Sequence, residues 1–279
     1  MRVLLLFCLW LPGLAASAQQ PGKHELFQRM FAAIGKVRTL TFELDQSERI
    51  GGKMMTGSQT AKLNCAPFKV YLKVLAPDPG TELLYVAGGN GGKVKLNPGR
   101  SPHIVLNLDP DSGLLRKGRH HSVKEIGFGY VGGLLKNVYD RYRTNIDEWV
   151  QFKGEVVHHG RTCWSITFTN GDYALRDVTT GHGENVIAVA RRTFTNEYEL
   201  LELNGLKNYD AVEPGRSLKV PDTYFKSVDL YIDQATCLPV YQKMYDAKGV
   251  FAVYDYKDLR VNPVIAPEEF TTGYKGYGF

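Results

Sequence analysis

Val178-Thr-Thr-Gly-His-Gly-Glu-Asn-Val186 opens the stretch that decides the fold of this chain, and Val212-Glu-Pro-Gly-Arg-Ser-Leu-Lys-Val-Pro221 closes it. The β-branched residues at its start predict a short strand. The small polar residues that follow predict a turn into a helix, where they can accept hydrogen bonds from its free N–H groups. Val189 and Ala190 continue one apolar helical face, and Asn196 is positioned to cap a second helix. The stretch therefore predicts the order strand, helix, helix, strand.

These offsets resemble a LysM module, a small glycan-binding unit of bacterial cell-wall proteins. The resemblance rests on the turn at 183–186, the end of the second helix at 200–204 and the exit at 212–221. It implies a module at residues 175–222 that binds an N-acetylglucosamine-containing glycan such as peptidoglycan. The implied groove lies between the first turn and the loop after the second helix. Its residues are Gly183, Glu184, Asn185, Val186, Leu206, Lys207, Asn208 and Tyr209.

The first 18 residues have the pattern of a signal peptide. Arg2 precedes an apolar run, and Ala16-Ser-Ala18 has the small residues of a cleavage site. The mature chain would then begin near Gln19 as an exported, periplasmic protein. No later apolar run reaches 18 residues, so the sequence predicts no transmembrane segment.

Charge and cysteine content restrict the possible partners. The net charge of +5 becomes +4 after removal of Arg2, and no basic cluster occurs, which argues against nucleic-acid binding. Three cysteines, Cys65, Cys163 and Cys237, follow the predicted signal peptide. In an oxidising compartment this odd number predicts one disulfide and one free thiol, with the pairing left open.

Outside the stretch, the hydrophobic pattern predicts a helix over His24–Val37 and then a series of strands. Alternation with a period of two begins at Leu40, and the short connections indicate an antiparallel sheet. The glycine-rich run at 88–93 fits a hairpin turn better than a phosphate loop. Further strands are predicted at Val70–Val74, Leu83–Val86, Lys93–Leu96, His103–Leu108, Phe152–His158, Cys163–Thr169, Ser227–Ile232, Val240–Tyr245 and Val250–Tyr256.

A second helix is predicted from Ser122 to about Arg143, because Ser122 and Glu125 form a capping box. Glycines stand at positions 127, 129, 132 and 133. Each glycine inside a helix costs about 1 kcal/mol relative to alanine, so close packing or mobility must compensate. The glycine-rich tail at 273–279 is expected to be mobile.

The host of the module resembles the lipoprotein-carrier superfamily and, within it, a family of secreted bacterial proteins of unknown function. The phrases at 37–42, 82–86 and 229–233 carry this resemblance. It implies an α+β fold in which residues 19–174 and 223–279 form a curved antiparallel half-barrel covered by helices. The apolar space inside would bind lipid or lipoprotein acyl chains under a glycine-rich lid, with Gly129→Leu blocking access. Its predicted lining is Phe42, Leu44, Leu72, Val74, Gly129 and Gly133.

The sequence contains no motif for catalysis, and it predicts neither a cofactor nor a metal. The histidine pairs 120–121 and 158–159 are adjacent residues, which point to opposite faces when they lie on a strand. The predicted function is therefore non-catalytic binding in the cell envelope. Two alternatives remain open: a cell-wall hydrolase that uses Cys65 or Cys163, and a structural protein with no ligand in the barrel.

Overall fold

The computed structural model describes residues 20–101, 104–210 and 212–279, so the predicted signal peptide lies outside the described residues. Within these ranges the chain has an α+β fold. One open antiparallel sheet of 11 strands forms a half-barrel, and a two-stranded sheet belongs to a small βααβ unit. No helix of the described ranges is long and apolar enough to cross a membrane.

The large sheet is built almost entirely from neighbours in the chain. Its strand order is β6-β5-β4-β3-β2-β1-β13-β12-β11-β8-β7, and β10-β9 form the small sheet. The strands are β1 (Thr39–Ile50), β2 (Lys53–Cys65), β3 (Phe68–Ala76), β4 (Glu82–Val86), β5 (Val94–Asn97), β6 (Leu106–Leu108), β7 (Val150–His158), β8 (Arg161–Thr169), β9 (Leu175–Thr179), β10 (Ser217–Pro221), β11 (Ser227–Asp233), β12 (Pro239–Asp246) and β13 (Gly249–Val261).

The helices of the described ranges are α1 (Lys23–Lys36), α2 (Gly113–Arg116), α3 (Phe128–Tyr142), α4 (Ile146–Trp149), α5 (Val186–Thr193) and α6 (Glu197–Leu203). Of these, α1, α3 and α4 contribute buried residues to the core of the half-barrel. Helix α1 buries Leu26, Phe27 and Met30 along one stripe, as its 3.6-residue pattern requires. Phe27 stacks on Tyr139 of α3 at 5.2 Å between ring centroids, which joins the two helices above the sheet.

Helices α5 and α6 lie with β9 and β10 between β8 and β11 in the chain. Strands β8 and β11 are paired neighbours in the large sheet, so the small unit is an insertion into it. Asn185 accepts a hydrogen bond from the N–H of Ala188, and Asn196 accepts one from that of Glu199; the two side chains cap α5 and α6. The core of the unit consists of Val186, Val189, Ala190, Leu200, Leu201, Val212, Leu218 and Val220.

The inserted unit is docked on the half-barrel through buried polar groups. The Tyr224 hydroxyl lies 2.7 Å from Asn196 Nδ2 at the start of α6 and 2.8 Å from His121 Nε2 of the host. The guanidinium of Arg116 lies 2.8 Å from Asp111 and 3.7 Å from Glu197. Because both Asn196 and Glu197 are fully buried, these contacts fix the orientation of the unit on its host.

Two predictions about the host were wrong, and one strand was missed. The helix expected from Ser122 is interrupted: the capping box closes a short 3₁₀ turn at Val123–Glu125, and α3 begins only after Gly127, whose φ is 87°. Strand β2 was not predicted. The tail is not loose, because the Tyr277 ring stacks on Tyr71 at 3.7 Å and the N–H of Gly278 donates to Glu82 at 2.6 Å.

Candidate functional site

The first candidate site is a cleft of about 640 Å³ at the edge of the inserted unit. One wall contains Gly183, Asn185 and Ile187, at the turn into α5. The opposite wall is the loop after α6, at residues 207–210. The two sides of the predicted groove therefore face one cleft.

Five of the eight predicted groove residues line this cleft, namely Gly183, Asn185, Lys207, Asn208 and Tyr209. Lys207 and Asn208 are exposed. The Asn208 amide oxygen accepts a hydrogen bond from the N–H of Asp210 at 3.2 Å, so its NH₂ group and the Lys207 ammonium are the groups that can meet a ligand. Burial raises the pKa of Tyr209 to about 12, so its hydroxyl keeps its proton at neutral pH and can donate a hydrogen bond.

The structure assigns the other three groove residues to the unit itself. Val186 is fully buried in the core, so its side chain cannot contact a sugar. Leu206 also packs against that core. The Glu184 carboxylate accepts hydrogen bonds from Arg192 and from the N–H of Gly181, and these partners lower the pKa of Glu184 to about 2.

The half-barrel supplies a third wall that was not predicted from the sequence. Asp109, Asp111 and Lys117 line the cleft opposite the module, in the segment around α2. In the same segment, the Arg116 guanidinium lies 5.3 Å from the centre of the Tyr209 ring, in cation–π geometry. A ligand in this cleft would therefore contact both parts of the chain, and the host segment adds charge to a groove that is otherwise mostly neutral.

The second candidate site is an apolar cavity of about 700 Å³ between the sheet and α3. Leu44, Leu72 and Val74, three of the residues named for the lipid cavity in the sequence analysis, line it from the sheet. Tyr130 and Val131 line it from the helix. Its volume and lining are typical of sites that bury most of a small ligand.

The other three predicted cavity residues lie elsewhere. Phe42 packs on Tyr256 at 5.0 Å between ring centroids, in the filled part of the core. Gly129 and Gly133 are exposed, and a Cβ atom on either would have no neighbour within 4 Å, so both face away from the sheet. The close approaches are made by Gly127, which precedes the helix and lies beside Leu63, and by Gly132 inside the helix, which lies beside Ile34.

Polar groups line part of the cavity. Glu48 is buried, and its carboxylate accepts hydrogen bonds from the Tyr254 hydroxyl at 2.6 Å and from the His120 N–H at 3.0 Å. Arg119 also lines the cavity, and its guanidinium donates to the Gln59 amide oxygen at 3.3 Å. Among the described residues, no carboxylate lies within ion-pair distance of Arg119. Burial lowers the pKa of this guanidinium, since its charge is poorly compensated.

The cleft and the cavity share part of their walls. Ile50 at the end of β1 lines both, as do Lys117 and Gly118. The two spaces are therefore adjacent, with the end of β1 and the segment after α2 between them.

The cysteines do not form the expected disulfide or a reactive centre. Cys65, Cys163 and Cys237 are free thiols. Cys163 is buried, its thiol lies 3.6 Å from the carbonyl oxygen of Arg161, and burial raises its pKa to about 12. A thiol in this environment keeps its proton, which is the opposite of what a cysteine nucleophile requires. Burial also raises the pKa of Cys65.

One argument about the histidines was wrong. His158 ends β7, but His159 lies in the following turn with a φ of 47°, so the pair does not alternate as strand residues do. Both imidazoles reach the same carboxylate, that of Asp255 on β13.

Comparison with protein families identifies both parts of the chain. Residues 179–221 match the LysM domain, and residues 37–175 match a family described as protein of unknown function, DUF1571. The match to the LysM domain thus lies in the inserted unit, and the match to the family of unknown function covers the first part of the half-barrel. No curated protein matches the sequence.

Solved structures of low identity align with most of this chain at TM-scores below 0.5. A crystal structure of the Mycobacterium tuberculosis lipoprotein LppX is 11% identical, with 88% of this chain and 99% of that chain covered and a TM-score of 0.41. LprF from Mycobacterium bovis is 11% identical, with 87% and 94% covered and a TM-score of 0.41. A LolA superfamily protein from Nitrosomonas europaea is 8% identical, with 89% and 96% covered and a TM-score of 0.34. The family models thus confirm the expected LysM resemblance and the expected match to a family of unknown function.

Proposed function

We propose that this chain is a non-catalytic binding protein of the cell envelope, in which the LysM module binds an N-acetylglucosamine-containing glycan such as peptidoglycan. The observation that carries the proposal is the cleft between the two predicted groove walls. Gly183 and Asn208 present backbone and amide groups there, while the half-buried side chains of Ile50 and Tyr209 provide an apolar surface for an N-acetyl group. An exported, periplasmic location fits this ligand.

Co-sedimentation of the full chain with purified peptidoglycan tests the glycan proposal. Lys207→Ala removes an exposed cleft residue and is expected to weaken binding about tenfold, a loss of roughly 1.4 kcal/mol. Lys219→Ala is the matched control, because that exposed lysine lies on β10 and pairs with Asp177 outside the cleft. Failure of the unmodified chain to sediment would reject the proposal, and equal losses in both variants would indicate non-specific charge attraction.

The half-barrel is proposed to bind an acyl chain of a lipid or lipoprotein. The supporting observation is the 700 Å³ apolar cavity with Arg119 in its wall. An acyl chain would replace water against the leucine and valine side chains. A carboxylate on that ligand would pair with the guanidinium, which pairs with no described carboxylate.

Two ligands of equal chain length separate these contributions. Hexadecanoic acid and hexadecanol differ in the headgroup, so Arg119→Gln is expected to weaken binding of the acid by about tenfold and to leave the alcohol nearly unchanged. Fluorescence displacement would give both affinities. If neither compound binds and no lipid co-purifies with the protein, the cavity has no lipid role and the structural alternative gains support.

A single amphiphile that occupies both spaces is a second candidate ligand, favoured by the shared wall of Ile50, Lys117 and Gly118. Its sugar would lie in the cleft and its chain in the cavity.

Dodecyl N-acetylglucosaminide should then bind more tightly than N-acetylglucosamine or dodecanol, because a linkage that fits both sites makes the second contact intramolecular. Ile50→Trp should abolish this gain, whereas Val157→Trp, at a strongly exposed strand position, should preserve it. Equal affinity of the linked and separate compounds would mean independent sites.

A further inference from the structure

Two adjacent histidines and one aspartate meet on the outer face of the large sheet. His158 Nε2 lies 2.7 Å from Asp255 Oδ1, and His159 Nε2 lies 3.1 Å from both carboxylate oxygens. We infer that these three side chains bind a divalent transition metal ion, and that their chemistry favours Zn²⁺. This site is separate from the cleft and the cavity.

The distances fit tetrahedral coordination. Ligand atoms about 2.0–2.1 Å from a zinc ion lie roughly 3.4 Å from one another. The three donor atoms here all lie within 4.8 Å of one another. Small side-chain rotations would therefore suffice to place an ion between them. Two imidazole nitrogens and one carboxylate oxygen suit Zn²⁺, whereas Mg²⁺ and Ca²⁺ prefer oxygen ligands, and a fourth position stays open for water.

The surrounding residues hold the imidazoles in place. The His158 ring contacts the rings of Tyr231 and Tyr241 edge-on, at 5.2 and 5.3 Å between centroids, and those two tyrosines stack on each other. His159 and Gly160 both have positive φ in the turn between β7 and β8. Such turns favour asparagine and glycine, so the turn geometry does not require an imidazole at position 159.

The charges nearby distinguish this cluster from the other histidine and carboxylate group of the described residues. That second group contains His121, Glu125 and Glu197, but Arg191 lies 3.1 Å from Glu125 and Arg116 lies 3.7 Å from Glu197. Its negative charge is already balanced by two guanidinium groups. On the outer face, the cation nearest in the chain to Asp255 is Lys257, and its ammonium group is bound to Asp45.

The ion would connect parts of the sheet that do not pair directly. Asp255 lies on β13, and strands β12 and β11 separate β13 from the hairpin of β7 and β8. Binding at His158 and His159 would hold the hairpin tip across the outer face of these strands. Metal binding should therefore stabilise the folded chain, because the unfolded chain does not hold the three ligands together.

The Zn²⁺ affinity of the full chain, prepared without a histidine tag, is measured by competition with a chelating dye. The visible absorption of bound Co²⁺ reports the coordination geometry. His158→Ala, His159→Asn and Asp255→Asn should each weaken Zn²⁺ binding by about tenfold or more and abolish the intense tetrahedral Co²⁺ band. His182→Ala is the control, since this histidine is exposed in the module, and should change the affinity less than twofold. Zn²⁺ should raise the melting temperature of the unmodified chain and of the control.

The variant His159→Asn protects the test against misfolding, because asparagine is favoured at positive φ in this kind of turn. Circular dichroism would verify that it folds. Zn²⁺ affinity equal to that of the unmodified chain in this variant, or a weak octahedral Co²⁺ spectrum, would overturn the assignment. Equal binding by all variants would mean that the ion binds adventitiously elsewhere.

Discussion

The interiors of the LysM module and of the half-barrel are built in opposite ways. The core of the module consists of eight buried apolar residues that pack together beside its two capped helices. The half-barrel instead encloses a cavity of about 700 Å³ between its sheet and α3. An apolar space of that kind forfeits the dispersion contacts that a filled core would make. The small unit therefore has a closed core, whereas the core of the large one leaves open space beside α3.

The sharpest test compares two leucine-to-alanine substitutions within the half-barrel, one in its filled core and one on the wall of the cavity. Leu230→Ala, at a fully buried position on β11, should destabilise the fold by about 3–4 kcal/mol. Leu44→Ala, on the cavity wall, should cost only about 1–2 kcal/mol, because its side chain has fewer partner atoms to lose. Urea denaturation gives both values, and equal losses would mean that the cavity is filled in solution.

The caps of the two module helices test how strongly the insertion depends on its host. Asn196→Ala should cost about 2–3 kcal/mol, since it removes the α6 cap and a buried hydrogen bond to Tyr224. Asn185→Ala removes only the α5 cap and should cost about 1 kcal/mol. Similar losses, measured by thermal and urea unfolding, would show that the contact with the host adds nothing.

Glu199 predicts a pH dependence at the junction of the two regions. Burial raises its pKa to about 8, and the Tyr173 hydroxyl donates to one of its oxygens at 3.0 Å. The folded chain therefore keeps a proton that the unfolded chain loses above its normal pKa of about 4.5, so this group lowers stability as pH rises from about 4.5 to 8. Glu199→Gln should gain about 3–4 kcal/mol relative to the unmodified chain between pH 5 and pH 8.

Glu202→Gln, on the same helix, is the control for this pH experiment. Its carboxylate is partly exposed and pairs with Lys248 at 2.8 Å. It should show no comparable gain as pH rises. A constant difference between Glu199→Gln and the unmodified chain across this pH range would contradict the assigned burial of Glu199.

The smallest predicted effect concerns the glycines of α3. Gly129→Ala should stabilise the fold by about 0.5–1 kcal/mol, because a methyl group there has no neighbour within 4 Å. Gly132→Ala should not stabilise the fold, because its Cβ would lie 3.0 Å from Ile34 Cδ1 of α1. Equal stabilisation by both substitutions would mean that α3 does not pack against α1 as described.

The sequence predicted the module well because its signals are local. The cap residues Asn185 and Asn196 and the apolar spacing of α5 are all read within a few positions of the helices they define. The orientation of the lid glycines was harder to predict, because Gly127 breaks the expected helix and resets which residues face the sheet. Position 129 then points outward, and position 132 makes the close contact.

Features that depend on distant parts of the chain were missed. Strand β2 contains few β-branched residues, and its buried positions include Gln59 and Ala61, so its alternation is weak. The third wall of the cleft is formed by a segment around α2 that lies about 60 residues before the module, and nothing in its own sequence shows what it faces. The shared carboxylate of His158 and His159 likewise depends on Asp255, almost a hundred positions away.

The insertion also has a consequence for the order in which the chain can fold. Strands β8 and β11 are separated by residues 170–226, but Leu175 pairs with Pro221 in the module. Once the module has folded, only the short segments 170–174 and 222–226 remain to be closed before β8 meets β11. The closure entropy then falls by about 1.5 kcal/mol. Early formation of the module would therefore speed the joining of the two sides of the half-barrel.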